Sequence, residues 1–173
     1  RKISLDSDEL ESILLYQISA LKGITESYGI KLHHVKPHGA LYNMASVDDK
    51  IAEVIVLAIK KIDSNLKLYG PSKMNWKNIS EKNNIKYISE VFSDRNYNEN
   101  LTLVDRNKEN SMIADVNTSI NHLSRMLNDG KVKTINGRLV DIDAETICIH
   151  GDQPNALLFA QTIFNTFKSN IKK

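Results

Sequence analysis

The sequence predicts an α/β fold with a parallel sheet, because four short apolar segments alternate with helical patterns along the chain. A small antiparallel hairpin interrupts this alternation before the last strand. The chain has 173 residues, of which 41% are hydrophobic and 25% are charged. These values are typical of a globular protein that buries a core of its own, and we expect residues 1–173 to form a single α/β domain.

The first half of the chain contains two amphipathic helical patterns. Apolar residues recur at spacings of three and four between Leu10 and Ile24, and they predict a helix over 7–28 with all of them on its buried face. A second helix is predicted from a capping-box-like start at 46–49 to about Ile62. Both helices are expected to cover the sheet.

Four strands are predicted from short runs with β character. They cover residues 31–35, 66–69, 85–91 and 146–149. Gly70-Pro71 is a strong turn signal and is expected to end the second strand. The third strand should lead into a polar loop. His33 and His34 alternate in the first strand, so one of them should face the covering helices, and both are expected to be structural.

The second half of the chain contains the hairpin and two helices. Asn136-Gly137 is flanked by two β-like runs, which predicts an antiparallel hairpin over 132–142. A helix is predicted over 115–128, and His122 is expected on its surface. The last helix should run from near Pro154 to about Ile171.

Charge and apolar runs disfavour two kinds of partner. The net charge is +2, from 23 basic and 21 acidic residues. It becomes −2 when the four terminal basic residues are left out, since 19 basic residues then face 21 acidic ones. We therefore expect no nucleic-acid partner. The apolar runs are too short for a membrane span and the chain lacks a signal-peptide pattern, so no membrane partner is expected.

The motifs that the sequence lacks, together with its cysteine content, narrow the possible classes of function further. The sequence has no Gly-rich phosphate loop, no Gly-x-Ser-x-Gly elbow and no Cys/His spacing for structural zinc, so no metal ligands are assigned. Cys148 is the single cysteine; it is expected to be buried and inert, and it fits a reducing cytoplasm. A cytoplasmic location is therefore expected.

Polar clusters follow three of the four predicted strands. The carboxyl ends of parallel strands meet at one edge of the sheet, where α/β proteins place their sites. Histidine transfers protons near neutral pH, and carboxylates orient a histidine or act as bases. The catalytic candidates are His38, Glu90, Asp94, His150 and Asp152. Lys36 and Arg95 are candidates for binding a carboxylate or a phosphate.

The same residues also have purely structural interpretations. A single histidine at a strand end often only packs. Asp94 and Arg95 form, on this view, a loop ion pair of small energetic value, and Asp152 a helix cap. Three clusters at one sheet edge favour a functional site over these alternatives.

Four segments of the chain resemble the LamB/YcsF family, which is identified with the A subunit of 5-oxoprolinase. They are LYQI at 15–18, HVKPHGALYN at 34–43, EVFSDR at 90–95 and TICIHGD at 146–152. They occur in the family's order and cover essentially the whole chain. The resemblance implies a (β/α) barrel of the glycoside hydrolase/deacetylase type, and it adds Tyr42 and Asn43 to the substrate-binding candidates.

The activity that the resemblance implies is the ATP-dependent opening of the 5-oxoproline (pyroglutamate) lactam to L-glutamate, in complex with B and C subunits. In this hypothesis His150 or His38 is the general base, oriented by Asp152 or Glu90. Lys36 or Arg95 holds the substrate carboxylate or stabilises developing negative charge. ATP binding is assigned to the partner subunits, because this chain lacks a phosphate motif.

The sequence departs from the family's pattern in two respects. Three motifs of the family's N-terminal region are missing, and four strands cannot close a barrel, which needs about eight. We therefore expect the C-terminal part of a barrel, incomplete and with an open sheet edge, which is inactive alone. The proline that usually precedes Arg106 is Asp105, and the usual Gly-Ala nearby is Asn110-Ser111, so this loop is expected to differ.

Two other functions stay open at this point. A metal-dependent, deacetylase-like hydrolase acting without ATP rests on fold analogy and on the histidines and acidic residues at strand ends. An inactive remnant or assembly component rests on the missing N-terminal motifs. Bound stoichiometric zinc would favour the first, and full activity of the partner subunits without this chain would favour the second.

Overall fold

The computed structural model describes residues 2–152 and 154–170, which divide into two compact units. The first unit is Arg1–Ser89 and the second is Glu90–Lys173. The first contains α1 (Ser7–Ser27), β1 (His34–Val35), α2 (Gly39–Ala45), α3 (Asp49–Ile62), β2 (Lys67–Pro71), α4 (Trp76–Lys82) and the start of β3 (Tyr87–Phe92). The second contains the end of β3, α5 (Val116–Asp129), β4 (Lys131–Lys133), β5 (Leu139–Asp141), β6 (Thr146–Cys148), α6 (Ala156–Phe167) and a 3-10 turn (Lys168–Asn170).

The strands follow one another in the order β1-β2-β3-β6, and they run parallel. In the first unit His34 stands opposite Lys67 in the β1–β2 pair. In the second unit Phe92 stands opposite Cys148 in the β3–β6 pair. Strands β4 and β5 form a separate antiparallel hairpin. The predicted α/β fold with four parallel strands and a small hairpin is confirmed.

Helix α1 begins with a reciprocal capping box. Asp6 Oδ1 accepts from the Glu9 N–H at 2.8 Å, and Glu9 Oε2 accepts from the Asp6 N–H at 3.2 Å. The predicted buried face is only partly right. Leu10, Leu14 and Ile18 are buried, whereas Ile13, Leu21 and Ile24 are 40%, 53% and 59% exposed. Part of the apolar stripe of α1 is therefore left uncovered by the rest of the first unit.

Helix α3 is capped by a residue other than the one that the sequence pattern indicated. Asp48 is the N-cap, and its carboxylate accepts from the Lys50 N–H at 3.0 Å. Ser46 lies outside the helix and its hydroxyl donates to the Tyr42 carbonyl at 2.7 Å. The predicted end at Ile62 is confirmed.

Strand β2 continues through Gly70 and Pro71, so the predicted turn at this dipeptide is wrong. A Cβ at Gly70 would overlap the Trp76 ring and the Tyr87 hydroxyl, which explains why a glycine stands here. Tyr87 donates its O–H to the Pro71 carbonyl at 2.7 Å. The glycine therefore serves close packing rather than chain reversal.

The first strand exposes both of its neighbouring histidines, so the expectation that one of them faces the covering helices is wrong. The His34 ring stacks on Tyr69 with 3.9 Å between centroids. The Lys67 Nζ atom lies 2.5 Å from His33 Nε2. These contacts are made on the protein surface.

In the second unit, the hairpin and helix α5 lie close to their predicted positions. Gly137 has φ +84°, and the Thr134 N–H donates to the Arg138 carbonyl at 2.8 Å across the turn. The expectation for His122 is wrong, because its side chain is only 7% exposed. Helix α5 buries a face that includes this histidine, Leu123 and Met126.

The segment after β3 begins with buried or half-buried residues over 93–97, although the sequence predicts a polar loop there, and it becomes exposed at 99–100. It forms short bridges from Arg95 to Met112 and from Tyr97 to Leu103. The last helix ends at Phe167 and continues as the 3-10 turn, while the predicted end at Ile171 lies outside the described residues. None of the helices in the described part of the chain is both long and apolar enough to cross a membrane.

Candidate active site

The second unit places Asp94 and His150 side by side through its strand register. Phe92 and Cys148 stand opposite each other at the ends of β3 and β6. Asp94 and His150 each follow their strand partner by two residues. Since residues two apart lie on the same face of an extended chain, the two side chains meet beyond the strand ends. The register thus builds the pair.

The pair has the geometry of a carboxylate that orients an imidazole. His150 Nδ1 lies 2.9 Å from Asp94 Oδ2 and 3.0 Å from Asp94 Oδ1. The Asp94 side chain is fully buried and that of His150 is 23% exposed. Because the carboxylate accepts, Nδ1 carries the proton, and the Nε2 lone pair is left to accept one. This arrangement suits a general base that can reach water.

Two serine side chains hold the segment that carries Asp94 in place through hydrogen bonds. The Ser93 N–H and hydroxyl both donate to the Cys148 carbonyl, at 3.2 and 3.0 Å. The Ser119 hydroxyl, from α5, donates to the Ser93 carbonyl at 2.8 Å. Both serines are fully buried. They extend the β3–β6 ladder by one residue and so fix the position of Asp94 relative to His150.

Aromatic residues form a second support. The Phe92 ring stacks against the His150 imidazole with 5.7 Å between centroids and 21° between planes. The Phe92 N–H donates to Tyr97 Oη at 2.8 Å. Burial raises the pKa of the Tyr97 phenol above its usual value, so the hydroxyl stays protonated. Phe92 therefore limits the imidazole on one face.

Arg95 lies in the interior of the second unit. It is 4% exposed, and its Nη2 donates to the Val104 carbonyl at 2.5 Å. Among the described residues, no group pairs with its buried Nε. Burial lowers the pKa of the guanidinium, and Arg106 lowers it further by repulsion. The simple Asp94–Arg95 ion pair does not form, since Asp94 pairs with His150 instead.

Asp152 and Glu90 occupy contrasting environments. Asp152 is exposed, and its Oδ2 lies 3.4 Å from Nη1 of Arg106. Hydrogen bonding to its own backbone N–H and to Arg106 lowers the pKa of its carboxyl. Glu90 is 3% exposed within β3, opposite Thr146. Sequence reasoning suggested these two carboxylates as the partner of His150, but the neighbouring carboxylate is Asp94.

The first unit holds the other four candidates. The Lys36 Nζ atom lies 6.0 Å from the centroid of the buried Tyr42 ring, a cation–π distance. His38 is the N-cap of α2 and is exposed, with no capping hydrogen bond from its side chain. Asn43 is also exposed. Lys36 and Tyr42 are thus brought together, while His38 and Asn43 face solvent.

Sequence reasoning missed the two serines and did not give Arg106 a role. Ser93 was visible inside the polar block after β3, but Ser119 carries no signal of its own on α5. Arg106 is about half exposed and links the loop after Tyr97 to Asp152. Within the described residues, no group of three or more His, Cys, Asp and Glu side chains could hold a metal ion.

Comparisons with known proteins agree with this architecture. The model of the LamB/YcsF family matches residues 1–172. The 5-oxoprolinase A subunit from Bacillus cereus (strain Q1) is 41% identical over 171 residues, which cover 98% of this chain and 68% of the relative. The 5-oxoprolinase A subunit from Bacillus mycoides (strain KBAB4) is 42% identical over 171 residues, covering 98% of this chain and 67% of that protein.

A solved structure is similar over the same extent. The crystal structure of the lactam utilization protein from Thermus thermophilus superposes with a TM-score of 0.88 and 34% sequence identity. The match covers 98% of this chain and 68% of that one. Fold and sequence similarity therefore extend through both units.

Proposed function

Because this chain belongs to the LamB/YcsF family, we propose that it is the A subunit of a 5-oxoprolinase that hydrolyses the lactam of 5-oxoproline to L-glutamate. Relatives named as A subunits of 5-oxoprolinase and a similar lactam utilization protein support this proposal. The observation that carries it within the structure is the oriented His150–Asp94 pair. A lactam is a poor electrophile, so its hydrolysis requires an activated water.

His150 is the general base of this proposal. Its Nε2 takes a proton from water while the water oxygen attacks the lactam carbonyl carbon, and Asp94 stabilises the imidazolium that forms. When the C–N bond breaks, the same proton passes to the departing nitrogen, which becomes the amine of glutamate. The buried carboxylate keeps Nδ1 protonated throughout, so the proton is exchanged only at Nε2.

The substrate carboxylate needs a cation, and the second unit offers Arg106. Its guanidinium is 51% exposed and only loosely paired with Asp152. Arg95, the candidate from the sequence, is buried and donates to Val104, which suits a structural role better. Lys36 stays a candidate within the first unit, where Tyr42 lies beneath its ammonium group.

ATP is the co-substrate in this proposal, and the B and C subunits are the partners. The second unit's site does not fit a triphosphate, because the sequence has no Gly-rich phosphate loop and the burial of Arg95 leaves Arg106 alone to face several phosphate charges. We therefore assign ATP binding to the partner subunits. A cytoplasmic location is part of the same proposal, since the single cysteine, Cys148, forms no disulfide within the chain.

The test is glutamate formation from 5-oxoproline and ATP by the enzyme assembled with its B and C subunits. His150→Ala and Asp94→Asn are each expected to lower kcat by about 10²- to 10⁴-fold, the usual effect of removing a general base or its orienting partner. Exposed His33→Ala and Asp129→Asn are the matched controls and should keep full turnover.

Two outcomes would contradict the proposal. Unchanged turnover in both His150→Ala and Asp94→Asn would remove the pair from catalysis. Turnover without ATP in a preparation that holds one equivalent of zinc would favour the metal-dependent hydrolase instead. Co-purification of the variants with both partners shows that any loss of activity does not come from failed assembly.

A further inference from the structure

The second unit contains a pocket of about 370 Å³ between α5 and the β4–β5 hairpin, here called the α5–hairpin pocket. Helix α5 contributes Asn121, His122 and Arg125, and the hairpin contributes Lys133 and Thr134. The helix residues are spaced one and three apart, which places them along one side of the helix. A pocket of this size is within the range that accommodates small ligands.

Two buried polar atoms in the lining have no hydrogen-bond partner among the described residues. They are His122 Nε2 and Thr134 Oγ1, on side chains that are 7% and 3% exposed. Leaving such an atom unpaired in the interior is energetically unfavourable. A ligand whose hydrogen-bonding groups reach these atoms therefore recovers interactions that the protein itself does not supply.

The His122 ring is an acceptor toward the pocket. The Arg95 backbone beside the ring raises the pKa of His122, which is the effect of a carbonyl facing a ring N–H, and because Nε2 is unpaired, this N–H is at Nδ1. Burial lowers the pKa of His122 to about 4, so the imidazole is neutral at pH 7. Its Nε2 lone pair thus requires a donor from the ligand.

The two charged residues that line the α5–hairpin pocket are both cations. Arg125 and Lys133 line the pocket and form no ion pair with any residue that the structure describes. No carboxylate belongs to the described lining. A carboxylate on the ligand would therefore meet two positive charges, and arginine would bind it through two parallel hydrogen bonds.

We propose that the α5–hairpin pocket is a second binding site, which takes a small α-amino acid. The ligand carboxylate binds Arg125 and Lys133, and its ammonium group donates to His122 Nε2 and Thr134 Oγ1. The site is separate from the His150–Asp94 pair, and the proposal stands whether or not that pair is catalytic. A simple dicarboxylate does not satisfy the neutral imidazole, because it is fully ionised at pH 7 and carries no hydrogen-bond donor.

The test uses the histidine ring signals in NMR spectra of the whole chain, titrated with L-glutamate. His122 reports on the α5–hairpin pocket and His150 reports on the other site, so each is observed in the same sample. We expect the His122 signals to shift and saturate. Arg125→Gln combined with Lys133→Gln should raise the half-saturating concentration at least about tenfold, because both cations that hold the ligand carboxylate are removed. Glutarate, which lacks the amino group, should bind more weakly than L-glutamate.

Thr134→Val is a second variant, and a purely structural role of Thr134 would not explain the effects expected of it. It replaces an unpaired buried hydroxyl by a methyl group of the same shape, so the free protein should keep or gain stability. Binding of L-glutamate at His122 should nevertheless weaken. A response of His150 alone, or a His122 response that is equal for glutarate and unchanged by the charge variants, would overturn the proposal.

Discussion

Asp94 and His150 stand at equivalent positions, each two residues beyond the opposed strand partners Phe92 and Cys148. Their contact is therefore set by backbone pairing before either side chain contributes. The 2.9 Å separation of Nδ1 and Oδ2 needs no long-range adjustment of the chain, because β3 and β6 are neighbours in the sheet. Residues that hold this register are expected to act on the site from a distance.

Ser93 is expected to behave as such a positioning residue. Ser93→Ala removes the hydroxyl contact to Cys148, and the free energy of unfolding should fall by about 1 kcal/mol. In the assembled enzyme kcat should fall while KM changes little, since Asp94 is displaced but no substrate contact is removed. Ser27→Ala is the control, because its hydroxyl bonds the Ile24 carbonyl on the exposed end of α1. Equal effects of the two variants would refute the positioning role.

His122 is expected to make stability depend on pH. Its pKa is about 4 in the folded chain against an ordinary value of 6.5, because burial disfavours the charged imidazole. Between these values the unfolded chain binds a proton that the folded chain does not. The stability that neutral His122 contributes is thus fully present above about pH 6.5 and is lost as the pH falls to about 4. This loss amounts to about 3 kcal/mol in the free energy of unfolding.

The measurement for His122 combines NMR titration with urea unfolding between pH 7 and 4.5. The His122 signals should show no protonation above pH 5. His122→Gln should reduce the decline of unfolding free energy, whereas exposed His33→Gln should leave it unchanged. Arg95 and Arg125, which lie near the ring, stay charged throughout this range and add no pH dependence of their own. A His122 pKa near 6.5 would contradict the buried, neutral state.

Gly70 is expected to be irreplaceable by a larger residue. In Gly70→Ala the new methyl group would overlap the Trp76 ring and the Tyr87 hydroxyl, and stability should fall by about 1–3 kcal/mol. Gly23→Ala is the matched control, since no atom lies within 4 Å of its Cβ position in α1. It should stabilise the chain by about 0.5–1 kcal/mol through helix propensity. Thermal unfolding of both variants measures the contrast, and a neutral Gly70→Ala would show that Trp76 repacks freely.

That residues 1–173 form a single domain stays a prediction, and unfolding experiments test it. Strand β3 crosses from one compact unit to the other between Ser89 and Glu90, so loss of either half should interrupt the same strand. We expect one cooperative transition. Trp76 fluorescence reports on the first unit and the His122 NMR signals report on the second. Transitions at different urea concentrations would show that the units unfold independently.

The sequence predicted the features that depend on local chemistry. Asn136-Gly137 specifies its hairpin because few other residue pairs adopt the required turn. The alternation of strands and helices likewise predicted the parallel sheet. The strand-end clusters identified both members of the Asp94–His150 pair, but which carboxylate faces His150 depends on strand register. Register is a relation between segments that are distant in the sequence, so local sequence patterns do not reveal it.

The errors share a physical origin in tertiary packing. The sequence predicts His122 on the surface of its helix, yet it is buried on the same side of α5 as Leu123 and Met126, next to the Arg95 backbone. Gly70-Pro71 resembles a turn locally, but the Trp76 ring occupies the space that the glycine leaves open. In both cases a neighbour from elsewhere in the chain decided the outcome.

Cys148 provides a direct way to observe how often the site's framework opens. It is the single cysteine of the chain, its side chain is 9% exposed, and its carbonyl is the acceptor that holds Ser93. A thiol reagent can attack only when the end of β6 separates from its surroundings. The labelling rate, compared with that of an unfolded chain, therefore gives the local opening free energy at the strand end that presents His150.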